Sequence, residues 1–403
     1  MIKRIAALLL ILAFAITAGC TKSDEPDGDT TVISDTQPSA DGKTAVLDKD
    51  GSRIGEIDRR AVCTAVDGGI FYSISDLKEY QFTADTEYRF FDMDGKKDVS
   101  LGTLENQGYE ASFARTDHNG KIYTLSVVGN ATSGDPVPLL LLAFDPAAGT
   151  MKKYTVSENG FPYASMTVSD GKLIIMDHEM SEPKCDKIYE FDPGTETVRE
   201  ILTFSSDTDS LRAVSSADDG FFLLRLKIND GAENEMFLDR YDKNNKKVSE
   251  TSVNETLVKA IGKINGMTGR QDALNELGTH VGGFSVVDGR FMIYENFSVT
   301  RLIVDLQSKD AILAEDDLYS VSTGGGERYV YRMDFDPDNV EEPEIIGMIG
   351  GKPEKLRFTP IGALRLIRAV SHSPGGTWLV TVSDVFAAQK GTYALYLWTD
   401  ADK

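Results

Sequence analysis

Residues 44–403 repeat one pattern of apolar and polar positions. A β-prone stretch leads into a small acidic or glycine turn, and a strongly apolar run answers it. Ala61-Val62-Cys63-Thr64-Ala65-Val66 reaches Asp67-Gly68 before Ile70-Phe71-Tyr72, and Asn119-Gly120 precedes Lys121-Ile122-Tyr123. Further turns stand at Asp170-Gly171, Asp219-Gly220, Asp288-Gly289, Gly325-Gly326 and Gly375-Gly376, each followed by an apolar run such as Phe221-Phe222-Leu223-Leu224. A second hairpin follows each of the first four: Phe90-Phe91-Asp92, Ala143-Phe144-Asp145, Glu190-Phe191-Asp192 and Arg240-Tyr241-Asp242 each end a run that a shorter strand answers. Asp-Gly, Asp-Pro and Asn-Asn supply the positive or preset φ that tight turns require.

Four short strands in about fifty residues, recurring along the chain, is the pattern of propeller blades. The expected fold is all-β, a seven-bladed β-propeller, with six or eight blades as alternatives. The last unit has three strands before the chain ends. A segment near Ala45-Val46-Leu47 and Arg53-Ile54-Gly55-Glu56-Ile57 is the candidate fourth, which would close the ring and remove an exposed edge. The widest interval, from Gly220 to Gly289, holds a helical insertion at 254–280 between blades four and five. Leu257, Val258, Ile261 and Ile264 fall at helical spacing, and Thr268 with Gln271 reads as a capping box for a second short helix. Such helices cover neighbouring strands or serve as a lid or docking element.

Ser371-His372-Ser373-Pro374-Gly375-Gly376-Thr377-Trp378-Leu379-Val380 resembles the turn of TolB-type, WD-like propeller repeats, with Gly375 where an aspartate is frequent. It also partly resembles the Asp-box of sialidase propellers, with Ser373 in the place of the aspartate. Both resemblances imply architecture and leave activity open.

The N-terminal residues read as an export signal. Lys3 and Arg4 precede the uncharged apolar run 5–16, and Thr17-Ala18-Gly19-Cys20 follows. The run is short for a permanent span, and its small residues suit cleavage. This stretch resembles a bacterial lipobox. The resemblance implies a signal peptide at 1–19, lipidation of Cys20, and an extracytoplasmic protein anchored to a bacterial membrane by lipid alone. Residues 20–43 are polar and acidic, too poor in apolar surface to order themselves, and are expected to be a tether.

The net charge of −22 argues against nucleic acid and anionic headgroups as partners. Cys63 and Cys185 map to different blades and are expected to remain unbridged. The four histidines show no metal-ligand spacing, and no nucleophile elbow or phosphate loop is present, so no cofactor is expected. Asp334, Asp336 and Asp338 alternate in one loop and are candidate calcium ligands, though no EF-hand loop is complete; a solvated acidic loop is the alternative.

In a meander blade the first and third turns lie on one face of the disc, and the second turns and inter-blade links on the other. Here the second set is long and varied, which makes that face the expected working face. Arg60, Arg212 and Arg368 open the innermost strands in similar contexts (Arg-Ala-Val-Cys, Arg-Ala-Val-Ser, Arg-Ala-Val-Ser). They are candidates to grip an anionic group with their planar donor forks, or else to pair with loop acids. Tyr109 and Tyr163 are candidate stacking residues on the same face. The expected function is a binding or scaffolding module, acting as a monomer, for an extracytoplasmic protein, peptide or glycan. The alternative is a propeller glycoside hydrolase or polysaccharide lyase using loop carboxylates.

Overall fold

The computed structural model describes residues 53–58, 61–75, 83–130, 137–160, 164–179, 184–230, 233–263, 270, 273, 281–296, 301–315, 318–323, 329–332, 344–349, 352–357, 366–373, 376–383 and 392–399. They form antiparallel meanders. After β1 (Arg53–Asp58) come β2 (Ala61–Val66), β3 (Gly69–Ser75), β4 (Ala84–Asp92) and β5 (Lys97–His118), then β6 (Lys121–Val128), β7 (Val137–Asp145) and β8 (Thr150–Gly160). A third unit holds β9 (Ser165–Ser169), β10 (Lys172–Glu179), β11 (Cys185–Asp192) and β12 (Thr197–Ser205). A fourth holds β13 (Asp209–Ala217), β14 (Gly220–Lys227), β15 (Glu235–Asp242) and β16 (Lys247–Ser252), followed by helix α1 (Asn254–Ile261). A fifth comprises β17 (Val281–Val287), β18 (Phe291–Asn296), β19 (Arg301–Asp305) and β20 (Asp310–Glu315). Then come β21 (Leu318–Thr323), β22 (Tyr329–Arg332), β23 (Glu344–Ile349) and β24 (Lys352–Arg357), and finally β25 (Leu366–His372), β26 (Thr377–Ser383) and β27 (Thr392–Thr399).

The third, fourth and fifth units are separate four-stranded sheets, each in simple meander order. The first two share β5, which ends one meander and begins the next without a connecting loop. Register shifts at Gln107/Tyr109 and Ala111/Arg115 let that one strand change partners. At the other end, β1 pairs antiparallel with β27, placing Ile57 opposite Tyr393.

Second strands bury both of their faces. Leu173, Ile174, Ile175 and Met176 in β10 are all buried, as are Phe221 through Leu226 in β14. A sheet with two apolar faces needs a neighbour on each, so the units stack, and their first strands lie side by side. Hydroxyls on those first strands stitch neighbours together. Ser371 Oγ accepts from Ala65 N at 2.7 Å, Ser215 Oγ accepts from Val286 N at 2.9 Å, and Ser169 Oγ donates to Gly220 O at 2.6 Å. This is propeller-type packing, built from strand order and burial.

Helix α1 is amphipathic and sinks Leu257, Val258 and Ile261 into a cluster with Met236 and Leu238 of the fourth unit and Leu302 and Val304 of the fifth. It covers strands of both units, as one of the two expected roles required. Cys63 and Cys185 lie in different sheets and form no disulfide.

The turns explain the recurring aspartates. Each third strand from the first unit to the fifth ends in an Asp whose Oδ1 accepts backbone N–H groups of its own turn: Asp92 from Asp94 and Gly95, Asp145 from Ala148, Asp192 from Gly194, Asp242 from Asn244 and Lys246, and Asp305 from Gln307. First turns use positive φ at Asn119-Gly120 and Asp170-Gly171. Gly220 differs. It starts β14 rather than sitting in the turn, and a Cβ there would lie 2.0 Å from Tyr241 O, just as one at Gly69 would lie 2.1 Å from Phe91 O. Gly220 is therefore the counterpart of Gly69, and Asp219 stands where the first unit has Gly68.

Two stability measurements follow from these turns. Gly220→Ala should lower the unfolding free energy by about 1–3 kcal/mol through forced overpacking. Gly120→Ala, whose Cβ would meet nothing within 4 Å, should cost only its left-handed backbone, about 1–2 kcal/mol. Denaturant unfolding that ranks Gly120→Ala as the more damaging would contradict the assignment of Gly220 to the strand. The second measurement is acid stability. The Arg290 guanidinium and the Gln307 and Ser308 amides hold Asp305 well below the usual carboxylate range, and the Lys246 and Asn244 amides pull Asp242 down. A depressed folded-state pKa stabilises above the unfolded value and loses that contribution as pH falls. Melting temperature should therefore hold down to about pH 5 and fall below about pH 4. Asp242→Asn and Asp305→Asn together should flatten that fall; an unchanged acid limb would refute this role.

Candidate functional site

The long-loop end of the third and fourth units gathers a set of polar side chains around one strand start. β10 and β11 pair His178 directly opposite Asp186, and His178 Nδ1 lies 2.8 Å from Asp186 Oδ1. Asp186 is buried, at 3% exposure. Its Oδ2 accepts from Leu211 N at 2.7 Å, and Ser206 Oγ donates to its Oδ1 at 3.2 Å. One carboxylate thus fixes a histidine on its own sheet and the start of β13 on the next.

At that start the register of β13 against β14 shifts between Leu211 and Ala213, which makes Arg212 the extra residue of a bulge. Bulges bend a strand and re-aim a side chain. Arg212 is half-buried, and its Nε is shut from solvent without a hydrogen-bond partner among the described residues. Burial pulls the guanidinium below the usual arginine range, against the opposing pull of Tyr294 and Asp186. No ion pair joins Arg212 among the described residues. Tyr294 belongs to the fifth unit and Asp186 to the third, so this cation stands between two sheets that flank its own.

Arg225 shows the contrasting case. It is also buried, but Asp209, Asp239 (2.9 Å) and Glu250 (2.9 Å) surround it, and its guanidinium lies 5.2 Å above the Phe237 ring. Burial opposes its charge, yet Asp239 and Asp209 raise it above the usual arginine range. Arg225 is a neutralised structural cation. Arg212 is not.

The other sequence candidates fall as follows. Arg368 is the extra residue of a corresponding bulge in β25, between Ile367 and Ala369, and its side chain lies outside the described residues. Strand β2 carries no such bulge, and Arg60 precedes it, outside the described residues. The repeated Arg-Ala-Val-Ser phrase also has a plain structural use, because Ser215 and Ser371 are the hydroxyls that bind the neighbouring first strands. The backbone of Tyr109 lies in β5 at a register shift, with its side chain outside the described residues. Tyr163, Asp334, Asp336, Asp338 and Cys20 all lie outside the described residues. Among the described residues no group of three or more acids, histidines or cysteines is placed to hold a metal ion.

The sequence reading missed the His178–Asp186 pair. Its signal was present, since the two residues sit symmetrically about the loop that joins β10 to β11. The bond from Asp186 to Leu211 had no local signal.

No protein-family model matches the chain, and no curated protein matches it. Among solved structures it is similar to an oligogalacturonate lyase from Vibrio parahaemolyticus, at 12% identity over 89% of this chain and 97% of that one, with a TM-score of 0.46. It is similar to an oligogalacturonate lyase in complex with manganese at 14% identity, covering 87% and 97% of the two chains, with a TM-score of 0.42. It is also similar to the acylaminoacyl peptidase of Pyrococcus horikoshii at 12% identity, covering 73% of this chain but 45% of that one, with a TM-score of 0.42. The chain therefore spans less than half the length of that peptidase. At these identities and scores the likeness carries no activity or substrate over to this chain.

Proposed function

We propose that the protein is a lipid-anchored, extracytoplasmic, seven-bladed β-propeller, closed by its N-terminal strand, that binds a protein, peptide or glycan through its long-loop face. The ligand would present an anionic group to Arg212. The observation that carries this reading is a desolvated guanidinium with no ion pair among the described residues, in a chain of net charge −22. Acids are abundant, and Arg225 has three of them; an arginine with no ion pair among the described residues is suited to receive a charge from outside. Arg368, at the corresponding bulge of another first strand, is a candidate second arm.

A second reading, a propeller glycoside hydrolase or polysaccharide lyase, draws on the His178–Asp186 pair. A buried carboxylate that orients an imidazole is a familiar general-base arrangement, and Arg212 interacts electrostatically with the same carboxylate. It differs from the expectation of paired loop carboxylates in resting on a histidine.

Three results test these readings. Sulfate, citrate and galacturonate should raise the melting temperature of the wild type through ligand linkage and leave Arg212→Gln unmoved; equal shifts in both proteins would overturn the anion site. Release of unsaturated sugar from acidic polysaccharides, lost in His178→Ala, would favour the enzyme over the binding module. For the anchor, Cys20→Ala should abolish labelling by radioactive palmitate and free the protein from the membrane fraction. Persistent labelling would refute lipidation at Cys20.

A further inference from the structure

A cleft of about 810 Å³ opens between the fourth and fifth units on the short-turn side, away from Arg212. Its existence follows from side-chain size. Deeper between the two sheets, Phe222, Leu238 and Val286 belong to a continuous apolar cluster, which α1 completes toward the loop side. Toward the short turns, the residues that β16 contributes are Ser249 and Thr251, which are too small to fill the gap. The space lies within the range of ligand pockets, about 300–1,000 Å³.

The charges around it are largely settled before any ligand arrives. Arg240 Nη2 donates to Asp219 Oδ1 at 2.5 Å. Arg290 holds Asp305 through Nε at 3.1 Å and Nη2 at 2.6 Å. Asp218 and Asp288 stand exposed in the turns at the mouth, with no salt bridge among the described residues. An anionic ligand would meet this negative rim, and a cationic one would find no free carboxylate beyond the rim, because Arg240 and Arg290 already hold Asp219 and Asp305. An apolar ligand would strip water from Ser216, Ser249, Thr251 and Gln307 without replacing their hydrogen bonds. Arg240 Nε is buried and has no acceptor among the described residues.

An uncharged polyhydroxylated molecule meets all of these conditions. Each hydroxyl both donates and accepts, so it can give to Asp218 or Asp288 and take from Ser249, Thr251 or an arginine N–H. The C–H faces of its rings suit the apolar floor of Phe222, Leu238 and Val286. We propose that this inter-sheet cleft is a binding site for a neutral oligosaccharide. It is separate from the long-loop face, and its success or failure is independent of Arg212.

Isothermal titration of the full chain with maltotetraose and cellotetraose tests this, with trigalacturonate and tetralysine as charged probes. At least one neutral tetrasaccharide should bind. Its affinity should fall about tenfold or more, the loss expected when a buried polar partner or the site volume is removed, in both Ser249→Trp and Arg240→Gln. Ser249 lies on an exposed strand, so the first variant should fold, and a far-ultraviolet spectrum matching the wild type checks this. Arg212→Gln should bind as the wild type does. The proposal is overturned if neither neutral probe binds, if binding survives both cleft substitutions, or if a charged probe binds in the neutral one's place.

Discussion

The structure depends on one constraint: second strands such as β10 and β14 are buried on both faces, mostly by apolar side chains. In β10 and β14 successive residues point to opposite sides of the sheet, and both sides are buried. A single such sheet in water would expose one face whatever its partner on the other, so the units are stable only in series. The outermost strand β16 is exposed at every position. First strands also meet across the stack, where short hydroxyl side chains bond neighbouring backbones.

The same constraint explains why so much of the fold was legible. Apolar runs after Asp-Gly turns marked the second strands, and Phe-Asp or Tyr-Asp endings marked the third, because each Asp builds its own turn through local bonds. Local chemistry of this kind is written in consecutive residues. What was not legible depends on partners far away in the chain. Nothing in residues 97–118 announces that one strand serves two meanders. Gly220 looks like the turn glycine of its neighbours, and only its closeness to Tyr241 O distinguishes it. The three arginine phrases look alike, yet Arg212 and Arg368 sit in bulges and β2 has none. The serine of that phrase serves the stacking of units, a role the arginine drew attention away from.

The two arginines at the loop end of the fourth unit separate structure from candidate function. Arg225 is encircled by carboxylates and packs on Phe237, and removing it would strand buried negative charge. Arg212, beside Asp186 at a bulge, is pulled below the usual arginine range by burial against the opposing pull of Tyr294 and Asp186, and its Nε has no acceptor among the described residues. A ligand that supplied the missing acceptor would be favoured by such a group, which is the ground for the proposed anion site. On the opposite side, the cleft between the fourth and fifth units has the reverse character, with its arginines already neutralised and its polar groups uncharged or on the rim.

The proposed anion site requires that the Arg212 guanidinium receive an acceptor from a ligand. The most direct measurement is the side-chain Nε–H resonance of Arg212 in nitrogen-15 nuclear magnetic resonance, assigned by its loss in Arg212→Lys, before and after addition of sulfate. An open Arg212 site gives a signal without the downfield shift of a hydrogen-bonded guanidinium in the free protein, moving downfield on titration while Arg225 stays still. An Arg212 signal already hydrogen-bonded in the free protein, and unmoved by sulfate, would contradict it.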